Sequence, residues 1–475
     1  MRQLRVSSLF VLPTLLALTG CGGGSGGEWQ GSVTDRPGVQ VVTNTGTGLW
    51  DEGEAWTVEE NLRIGSAEGQ PEYQFGQIAG IDVGSDGRIY VVDQQASEVR
   101  VFGPDGEFIA RMGKAGSGPG ELGQGAGPLF VGPGDTVSVP DVGQQRVTRF
   151  TAAGDPLGSY SIPMAEGIPI KWMENPEGGL VHQAMIMALP NQPDVEPRNL
   201  LLERDATGAV VDTLKVMPAG QTMDFSGGQP RMTIFAPEPM WALGPDGRLI
   251  YGNNSTYRLE VFDPEGRLVR VIQKERERKP ITDGDEEEFR RVIQEAWKAA
   301  GMPPQAMDMM SQALNFAEYY PAYANLFGGP EGTVWVQGVQ SPETVQEEGS
   351  TFDIQDIGGP TWEVFDDQGR LRIVSDDLVT SVAALPGVAY LSLGKSIDGR
   401  VFKEGLPHEI EGPLGVEVKT NLSGVDPDQT RKGISAETTF NEQNRTDPTG
   451  PKSATLRLIK GGSYSDVPYW CRTGT

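Results

Sequence analysis

The sequence has few of the residues on which most enzymes depend. Its 475 residues include only two histidines, His182 and His408. Histidine is the commonest general acid or base and a frequent metal ligand, so histidine-dependent catalysis is nearly excluded. The zinc-protease signature H-E-x-x-H and the phosphate-binding signature G-x-x-x-x-G-K-[ST] are absent. We interpret His182 as a packed strand residue and His408 as a surface loop residue.

Cysteine and positive charge are also scarce. Cys21 and Cys471 are the only cysteines, so the chain has no C-x-x-C motif and no disulfide framework. Asp and Glu number 65 against 39 Lys and Arg, a net charge of −26. Nucleic acid is excluded as a partner because phosphate binding needs clustered Lys and Arg. An abundance of glycine (64) and proline (35) favours many short strands joined by turns.

No hydrophobic run is long enough to span a bilayer. The apolar stretch Leu9–Leu18 follows Arg2 and Arg5 and is typical of a signal peptide. It ends in Leu-Thr-Gly-Cys, which resembles the lipobox of bacterial lipoproteins. The resemblance implies a signal peptide at 1–20, lipidation of Cys21 and a membrane partner bound through that lipid. Residues 21–53 are predicted to be a tether and linker, beginning with a flexible Gly/Ser stretch.

This N-terminus predicts a cell-envelope protein. Gly22, which follows Cys21, is not the aspartate that retains lipoproteins at the inner membrane. An outer-membrane or periplasmic-face location is therefore favoured.

The body of the chain repeats one unit of four strands. Asp-Gly and Glu-Gly turns separate runs rich in β-branched residues, as expected of antiparallel hairpins. Three units contain two turn residues at the same spacing of 19: Gly87 and Gly106, Asp135 and Gly154, and Gly247 and Gly266. Six turn centres can be proposed: Gly87, Asp135, Gly178, Gly247, Gly332 and Gly387. A single unit cannot bury both faces, so the units are expected to pack face to face.

The stretch from Phe75 to Phe102, followed by Gly-Ser-Gly-Pro-Gly-Glu-Leu at 116–122, resembles an NHL-type repeat. The chain is similar here to six-bladed β-propeller lipoproteins of environmental bacteria. The resemblance implies an all-β, six-bladed β-propeller over residues 54–411 and an extracytoplasmic location. The extended segment Trp56–Ile64 is predicted to join the last sheet and close the ring.

One insertion, residues 283–318, has a helical pattern. Acidic residues at 285–288 fit a helix N-terminus, and Phe289, Val292, Ile293 and Trp297 share one face. We predict a helical hairpin packed on the propeller. A mobile lid or partner-binding helix is the alternative, since Met307 and Met310 give the second helix an adaptable surface.

Acidic and amide side chains recur at the end of the second strand of a unit. Asp93 and Asp141 occupy this position in the first two units, and Asn253 matches them in the fourth. Such side chains commonly hydrogen-bond the following turn. As oxygen ligands they would alternatively form a calcium or polar-ligand site on one propeller face. No cofactor is required by the sequence, and calcium is the one that these residues would admit.

The C-terminal residues 412–475 differ from the rest. The stretch from 412 to 450 is polar and turn-rich, and is predicted to be irregular. Residues 455–472 resemble the C-terminal strand of formylglycine-generating-enzyme-like (sulfatase-modifying factor) domains. Cys471 matches one cysteine of the catalytic pair, but Asp466 stands where the other would be, which argues against oxidase activity.

Two classes of function remain open. One is a non-catalytic module that binds or scaffolds a protein, glycan or small ligand. The alternative is a metal-assisted hydrolase or lyase in the central channel. Convergent carboxylates with raised pKa values would favour the enzyme, and a neutral or apolar channel would count against it.

Overall fold

The computed structural model describes residues 29–46, 48, 62, 64–65, 69–187, 195–224, 231–299, 301–329, 332–342 and 357–375. It also describes the backbone of three later strands at 389–393, 435–439 and 455–460. Cys21, His408 and the turn at Gly387 lie outside these residues. Most of the predicted closing strand Trp56–Ile64 also lies outside them, and only Leu62 and Ile64 of that strand are described. In the described part, no helix is long and apolar enough to cross a membrane.

The described chain begins with a hairpin that the sequence analysis had assigned to linker. It consists of β1 (Gly31–Arg36) and β2 (Val39–Asn44), joined by a turn in which Gly38 has a φ of 78°. Val41 and Val42 are buried. The linker prediction is therefore wrong for residues 31–44. The sequence does contain the signal of a hairpin, a Pro-Gly pair between two short segments that contain β-branched residues.

Five four-stranded antiparallel blades follow, each with its first strand innermost. Blade one contains β3 (Ile78–Val83), β4 (Ile89–Asp93), β5 (Glu98–Phe102) and β6 (Phe108–Met112), and blade two contains β7 (Phe130–Gly132), β8 (Thr136–Asp141), β9 (Arg146–Phe150) and β10 (Pro156–Ser161). Blade three contains β11 (Ile168–Glu174), β12 (Leu180–Ile186), β13 (Arg198–Arg204) and β14 (Val210–Pro218).

Two short strands, β15 (Met223–Asp224) and β16 (Arg231–Ile234), precede blade four, which contains β17 (Pro239–Leu243), β18 (Leu249–Asn253), β19 (Arg258–Phe262) and β20 (Leu268–Lys274). The insertion then supplies α1 (Asp283–Ala299), α2 (Pro304–Ala313) and β21 (Leu314–Phe316). Blade five contains β22 (Asn325–Gly328), β23 (Val334–Val339), β24 (Gly358–Phe365) and β25 (Leu371–Ser375).

The N-terminal hairpin extends blade four to six strands. Strand β2 pairs in parallel with β20, placing Gln40 opposite Arg270 and Asn44 opposite Lys274. Strand β1 then becomes the outer edge of that sheet. Blade four thus includes residues that are more than 200 positions apart in the sequence.

The blades pack face to face through their buried side chains. Val91 and Val99 of blade one contact the cluster that contains Val137 and Val139 of blade two. Equivalent clusters join blade two to three, three to four, and four to five. Every residue of β4 is buried, because a strand inside a propeller has a neighbouring sheet on both sides. The predicted face-to-face packing is confirmed.

A sixth sheet forms beyond blade five. Strands β26 (Ala389–Leu393), β27 (Ser435–Thr439) and β28 (Thr455–Lys460) pair in the order β26-β28-β27. Strand β26 lies next to β3, the innermost strand of blade one. The stretch from 412 to 450 is therefore not irregular throughout, since β27 belongs to it, whereas β28 lies in the segment that resembles a C-terminal strand.

The helical insertion is confirmed at the predicted place. Thr282 caps α1: the Asp285 N–H donates to Thr282 Oγ1 at 3.2 Å, and the Thr282 N–H donates to Asp285 Oδ2 at 3.0 Å. Phe289 and Ile293 of α1 are buried against Phe235 and Tyr320. Strands β15, β16 and β21 form a small sheet beneath the helices. The hairpin is thus packed on the propeller, as predicted.

Candidate ligand-binding face and central channel

The two faces of the propeller differ sharply in their loops. The connections from first to second strand, and from third to fourth, contain five residues or fewer in all five blades. We call this side the tight-turn face. Within the five described blades, the long connections all lie at the other end, namely 113–129, 187–197, 219–238, 275–324 and 340–357. We call this side the elaborated face.

Hydrogen bonding explains why the tight turns are uniform. In the first turn, the Gly84 N–H donates to the Arg88 carbonyl at 2.9 Å, and the Gly87 N–H donates to the Gly84 carbonyl at 3.0 Å. Gly87 has a φ of 83°, a conformation that glycine adopts without steric cost. Nine of these turns place a glycine with positive φ at this position: Gly87, Gly106, Gly154, Gly178, Gly208, Gly247, Gly266, Gly332 and Gly369. Such constrained turns leave little room for a binding site.

The innermost strands line the central channel and carry little charge. Strands β3, β7, β11, β17 and β22 are neighbours in that order. Asp82, Lys171 and Glu174 are the charged residues on these five described strands. Strand β26 has the neutral sequence Ala-Tyr-Leu-Ser-Leu. Apart from these three charged residues, the five described innermost strands are neutral or apolar in sequence.

Side chains from one blade satisfy the backbone of the next along this wall. Asp82 accepts hydrogen bonds from the backbone N–H of Val83 at 2.8 Å and of Val131 at 2.6 Å. The Leu243 N–H lies 3.2 Å from the Met173 sulfur. An innermost strand has one edge without a partner strand, so these contacts stabilise backbone groups that would otherwise be unpaired.

Lys171 is the cation of this wall. Its Nζ donates to the Trp241 carbonyl at 2.7 Å and lies 5.0 Å from the centre of the Trp241 ring. Burial among apolar groups lowers the pKa of the Lys171 ammonium to about 8. The side chain thus connects blades three and four while keeping a desolvated charge at the channel.

Asp93 has a structural role. Its carboxylate accepts hydrogen bonds from the backbone N–H groups of Gly76, Gln77 and Ala96, at 3.0 to 3.2 Å. The Arg100 guanidinium donates to Asp93 Oδ2 at 2.9 Å, and both side chains are buried. With both oxygens occupied and the charge balanced, the geometry favours the turn-stabilising interpretation of Asp93 over the metal-ligand interpretation.

Asp141 and Asn253 are also used within their own blades. Asp141 is fully buried and accepts the N–H groups of Gly123 at 2.7 Å and Gln144 at 3.0 Å. Asn253 accepts the Ser255 N–H at 3.0 Å. None of these hydrogen bonds joins the three predicted residues to one another. Among the described residues, no group of three or more His, Cys, Asp or Glu side chains is placed to hold a metal ion.

In blade four, Asn254 has the structural role that Asp93 has in blade one. The sequence pattern pointed to Asn253 and did not predict this role for Asn254. Asn254 is fully buried, accepts the Glu238 N–H at 2.7 Å and donates to the Tyr323 carbonyl at 3.0 Å. It ties the start of β17 to the segment that leads into blade five. Its position directly after Asn253 was the available signal, but spacing alone does not show which of two adjacent asparagines points inward.

His182 is a packed residue, as predicted. It is buried and stacks on Trp172, with ring centroids 4.5 Å apart. Burial, with a smaller contribution from the Arg204 charge, lowers the pKa of His182 to about 3. Its Nδ1 has no hydrogen-bond partner among the described residues. This environment keeps the imidazole neutral and gives it no general-base role.

We expect His182→Phe to change the pH dependence of stability. The unfolded chain binds a proton at His182 below a pKa of 6.5, whereas the folded protein does so only near pH 3. The parent therefore loses stability as the pH falls from 6.5 towards 3, by about 1.4 kcal/mol per unit. His182→Phe should be within about 1 kcal/mol of the parent at pH 7 and about 2 kcal/mol more stable at pH 5. Urea unfolding at both pH values measures this, and an equal difference at the two would contradict it.

Comparison with known proteins supports the fold. Residues 68–186 match a family model described as a 6-bladed beta-propeller. No curated protein matches the chain. Together with the five blades and the sixth sheet, the match defines the molecule as an all-β, six-bladed β-propeller.

Several solved structures are similar at low identity. A putative exported protein from Bacteroides fragilis is 10% identical, with a TM-score of 0.42, over 88% of this chain and 98% of that one. Virginiamycin B lyase from Staphylococcus aureus is 12% identical, with a TM-score of 0.31, over 65% and 71%. A gluconolactonase from Xanthomonas campestris is 10% identical, with a TM-score of 0.35, over 82% and 86%.

Proposed function

We propose that the protein is a lipid-anchored, extracytoplasmic β-propeller that acts as a non-catalytic binding or scaffolding module. The observation that carries the proposal is the one-sided distribution of insertions in the five described blades, which gives these blades one elaborated face. Loops on a rigid scaffold are where binding surfaces are usually built. A protein or glycan is the ligand class that such a broad face would suit.

The channel supports binding over catalysis. A metal-assisted hydrolase or lyase needs several oxygen ligands that converge on one point. The two carboxylates on the described innermost strands are Asp82 and Glu174, and both oxygens of Asp82 accept backbone N–H groups. Among the other residues of the five described innermost strands, Asn325 is the one with a side-chain oxygen, and its amide N–H donates to Gln337 Oε1 at 3.0 Å.

The elaborated face also holds surfaces that fit a partner. Met309 is 68% exposed on α2, and Glu238 lies half-buried at the start of blade four. Glu238 accepts the Thr222 N–H at 2.8 Å and the Thr222 hydroxyl at 2.6 Å. Burial raises the pKa of the Glu238 carboxyl. These groups offer apolar and polar contacts without forming a catalytic pair.

A cation titration separates the two functions. We expect calcium, magnesium and zinc each to leave the thermal midpoint of the protein unchanged, because no described side chains converge as ligands. A rise of several degrees in the midpoint that is lost in Asp82→Asn or Glu174→Gln would instead support the channel enzyme. Lys171→Met serves as the control, since it changes the same wall without removing a carboxylate.

A further inference from the structure

The innermost strand of blade three contains an extra residue. Lys171 lies opposite Gln183, and Pro169 lies opposite the next residue of β12, so Ile170 has no partner and forms a β-bulge. Ile170 is 40% exposed, whereas Ala79, the extra residue of the bulge in blade one, is fully buried. Strand β12 covers one edge of β11, and β7 and β17 lie on its two sides. The exposed surface of Ile170 therefore faces the central channel.

The Lys171 ammonium lies at the channel-facing edge of blade four. It donates to the Trp241 carbonyl at 2.7 Å. Along an antiparallel strand, the backbone groups of successive residues point alternately to opposite edges. The Gly244 N–H donates to the Arg248 carbonyl, on the side of β18, so the groups of Leu243 and Trp241 point to the other edge. The Leu243 N–H accordingly contacts a sulfur atom of blade three instead of β18.

No described carboxylate balances the charge of Lys171. An ammonium has three N–H donors, and the Trp241 carbonyl is the one acceptor that the described residues provide. Lys215 and Lys274, the other half-buried lysines of the described chain, each face a glutamate, at 3.5 Å and 2.5 Å. Burial lowers the pKa of Lys171 to about 8, and no described carboxylate counteracts that effect. A desolvated cation of this kind favours an anionic ligand.

The surface between Lys171 and the elaborated face is apolar. Ile168, at the elaborated end of β11, lies opposite Met185. Met185 and Gln183 are two residues apart on β12, so Ile168 and Lys171 lie on the same face of the blade. Ile168 and Met185 are half-buried. Three residues of strand, about 10 Å, separate Ile168 from Lys171, so a ligand entering from the elaborated face passes apolar side chains before it reaches the ammonium.

We propose that the channel beside blade three binds a small carboxylate with an apolar body. The carboxylate accepts hydrogen bonds from the Lys171 ammonium, and the apolar body lies against Ile170 and Ile168. One ammonium balances one negative charge, and a charge-assisted hydrogen bond in a desolvated channel is stronger than a neutral one. The inference rests on the proposed binding function and gives it a ligand class for the channel.

The test uses the chain with Cys21→Ser, which retains every described residue and cannot be lipidated. Calorimetry at neutral pH measures the binding of octanoate, octanol and acetate, and we expect octanoate to bind at one saturable site. Octanol lacks the charge-assisted hydrogen bond and should bind about 10- to 100-fold more weakly. Acetate lacks the apolar chain and should bind at least about 100-fold more weakly. Absence of octanoate binding, or equal affinities for octanoate and octanol, would overturn the proposal.

Three variants locate the site. Lys171→Met should weaken octanoate binding about 10- to 100-fold and leave octanol binding within about twofold of the parent. Ile170→Asn should weaken both ligands alike, by about fivefold. The control is Lys215→Met, which removes a lysine that also lies over an aromatic ring, 4.1 Å from the centre of Tyr251, and should leave octanoate binding unchanged. Equal losses in Lys171→Met and Lys215→Met would contradict the assignment, and the thermal midpoint of each variant verifies its fold.

The cation titration tests the proposed function separately. If octanoate does not bind and no cation changes the thermal midpoint, the carboxylate site is overturned while the binding function stands. A rise in the midpoint with a cation that is lost in Asp82→Asn overturns the binding function, whatever the result with octanoate.

Discussion

Asp93→Ala is expected to lower the free energy of unfolding by about 4 kcal/mol, with or without calcium. The substitution leaves the buried Arg100 guanidinium without its carboxylate partner, 2.9 Å away in the parent. Removing one member of a buried ion pair typically costs 3–5 kcal/mol. It also leaves the N–H groups of Gly76, Gln77 and Ala96 without their acceptor. Guanidinium unfolding in calcium and in a chelator measures both parts of the prediction.

Two further variants make the Asp93 result specific. Asp86→Ala removes an aspartate of the same blade whose arginine partner, Arg88, is partly exposed, and should cost less than about 1 kcal/mol. Asp93→Ala/Arg100→Met removes both buried charges and should be more stable than the sum of the single changes predicts. A loss of stability in Asp93→Ala that appears only when calcium is present would instead identify Asp93 as a metal ligand.

The blades were predictable because their signals are local. A positive-φ glycine and its hydrogen bonds determine each tight turn within five residues, so a fixed spacing such as Gly87 to Gly106 marks a blade. The helical insertion was predictable for the same reason, since its capping residue and its apolar face lie within one segment. The pairing of the 31–44 hairpin with blade four was not predictable, because its partner strand β20 is more than 200 residues away.

The site was only partly predictable. The repeat pattern identified Asp93 and Asp141 as candidates. An oxygen-bearing side chain at a strand end can either stabilise the following turn or bind a metal ion, so the pattern could not decide between these roles. The buried Arg100 favours the turn-stabilising role for Asp93. From the sequence, however, Arg100 alternates with Val99 and Val101 as a solvent-facing residue would. Inside a propeller both faces of a strand are covered, so an alternating arginine can be buried. The difference between the two faces could not be predicted, because it can be recognised only once the strand order of all five described blades is known.

Asn44→Ala is expected to cost about 3 kcal/mol and to release the N-terminal hairpin from blade five. The fully buried Asn44 amide donates to the carbonyls of Gln273 at 3.2 Å and Gly369 at 2.9 Å. Its oxygen accepts the Leu371 N–H at 2.7 Å and the Trp29 indole N–H at 2.9 Å. Four bonds use the full hydrogen-bonding capacity of an asparagine, and a buried group left unpaired costs about 1–3 kcal/mol.

The isosteric variant Asn44→Asp separates donors from acceptors. It keeps both acceptors but sets a carboxylate oxygen against the carbonyls of Gln273 and Gly369, so we expect a loss at least as large as that of Asn44→Ala. Asn315→Ala, which removes an exposed asparagine with one described hydrogen bond, should change stability by less than about 0.5 kcal/mol. Hydrogen exchange should accelerate at residues 39–44 and 371–372 in the Asn44 variants alone. If stability and exchange are unchanged, Asn44 does not hold the N-terminal hairpin against blade five.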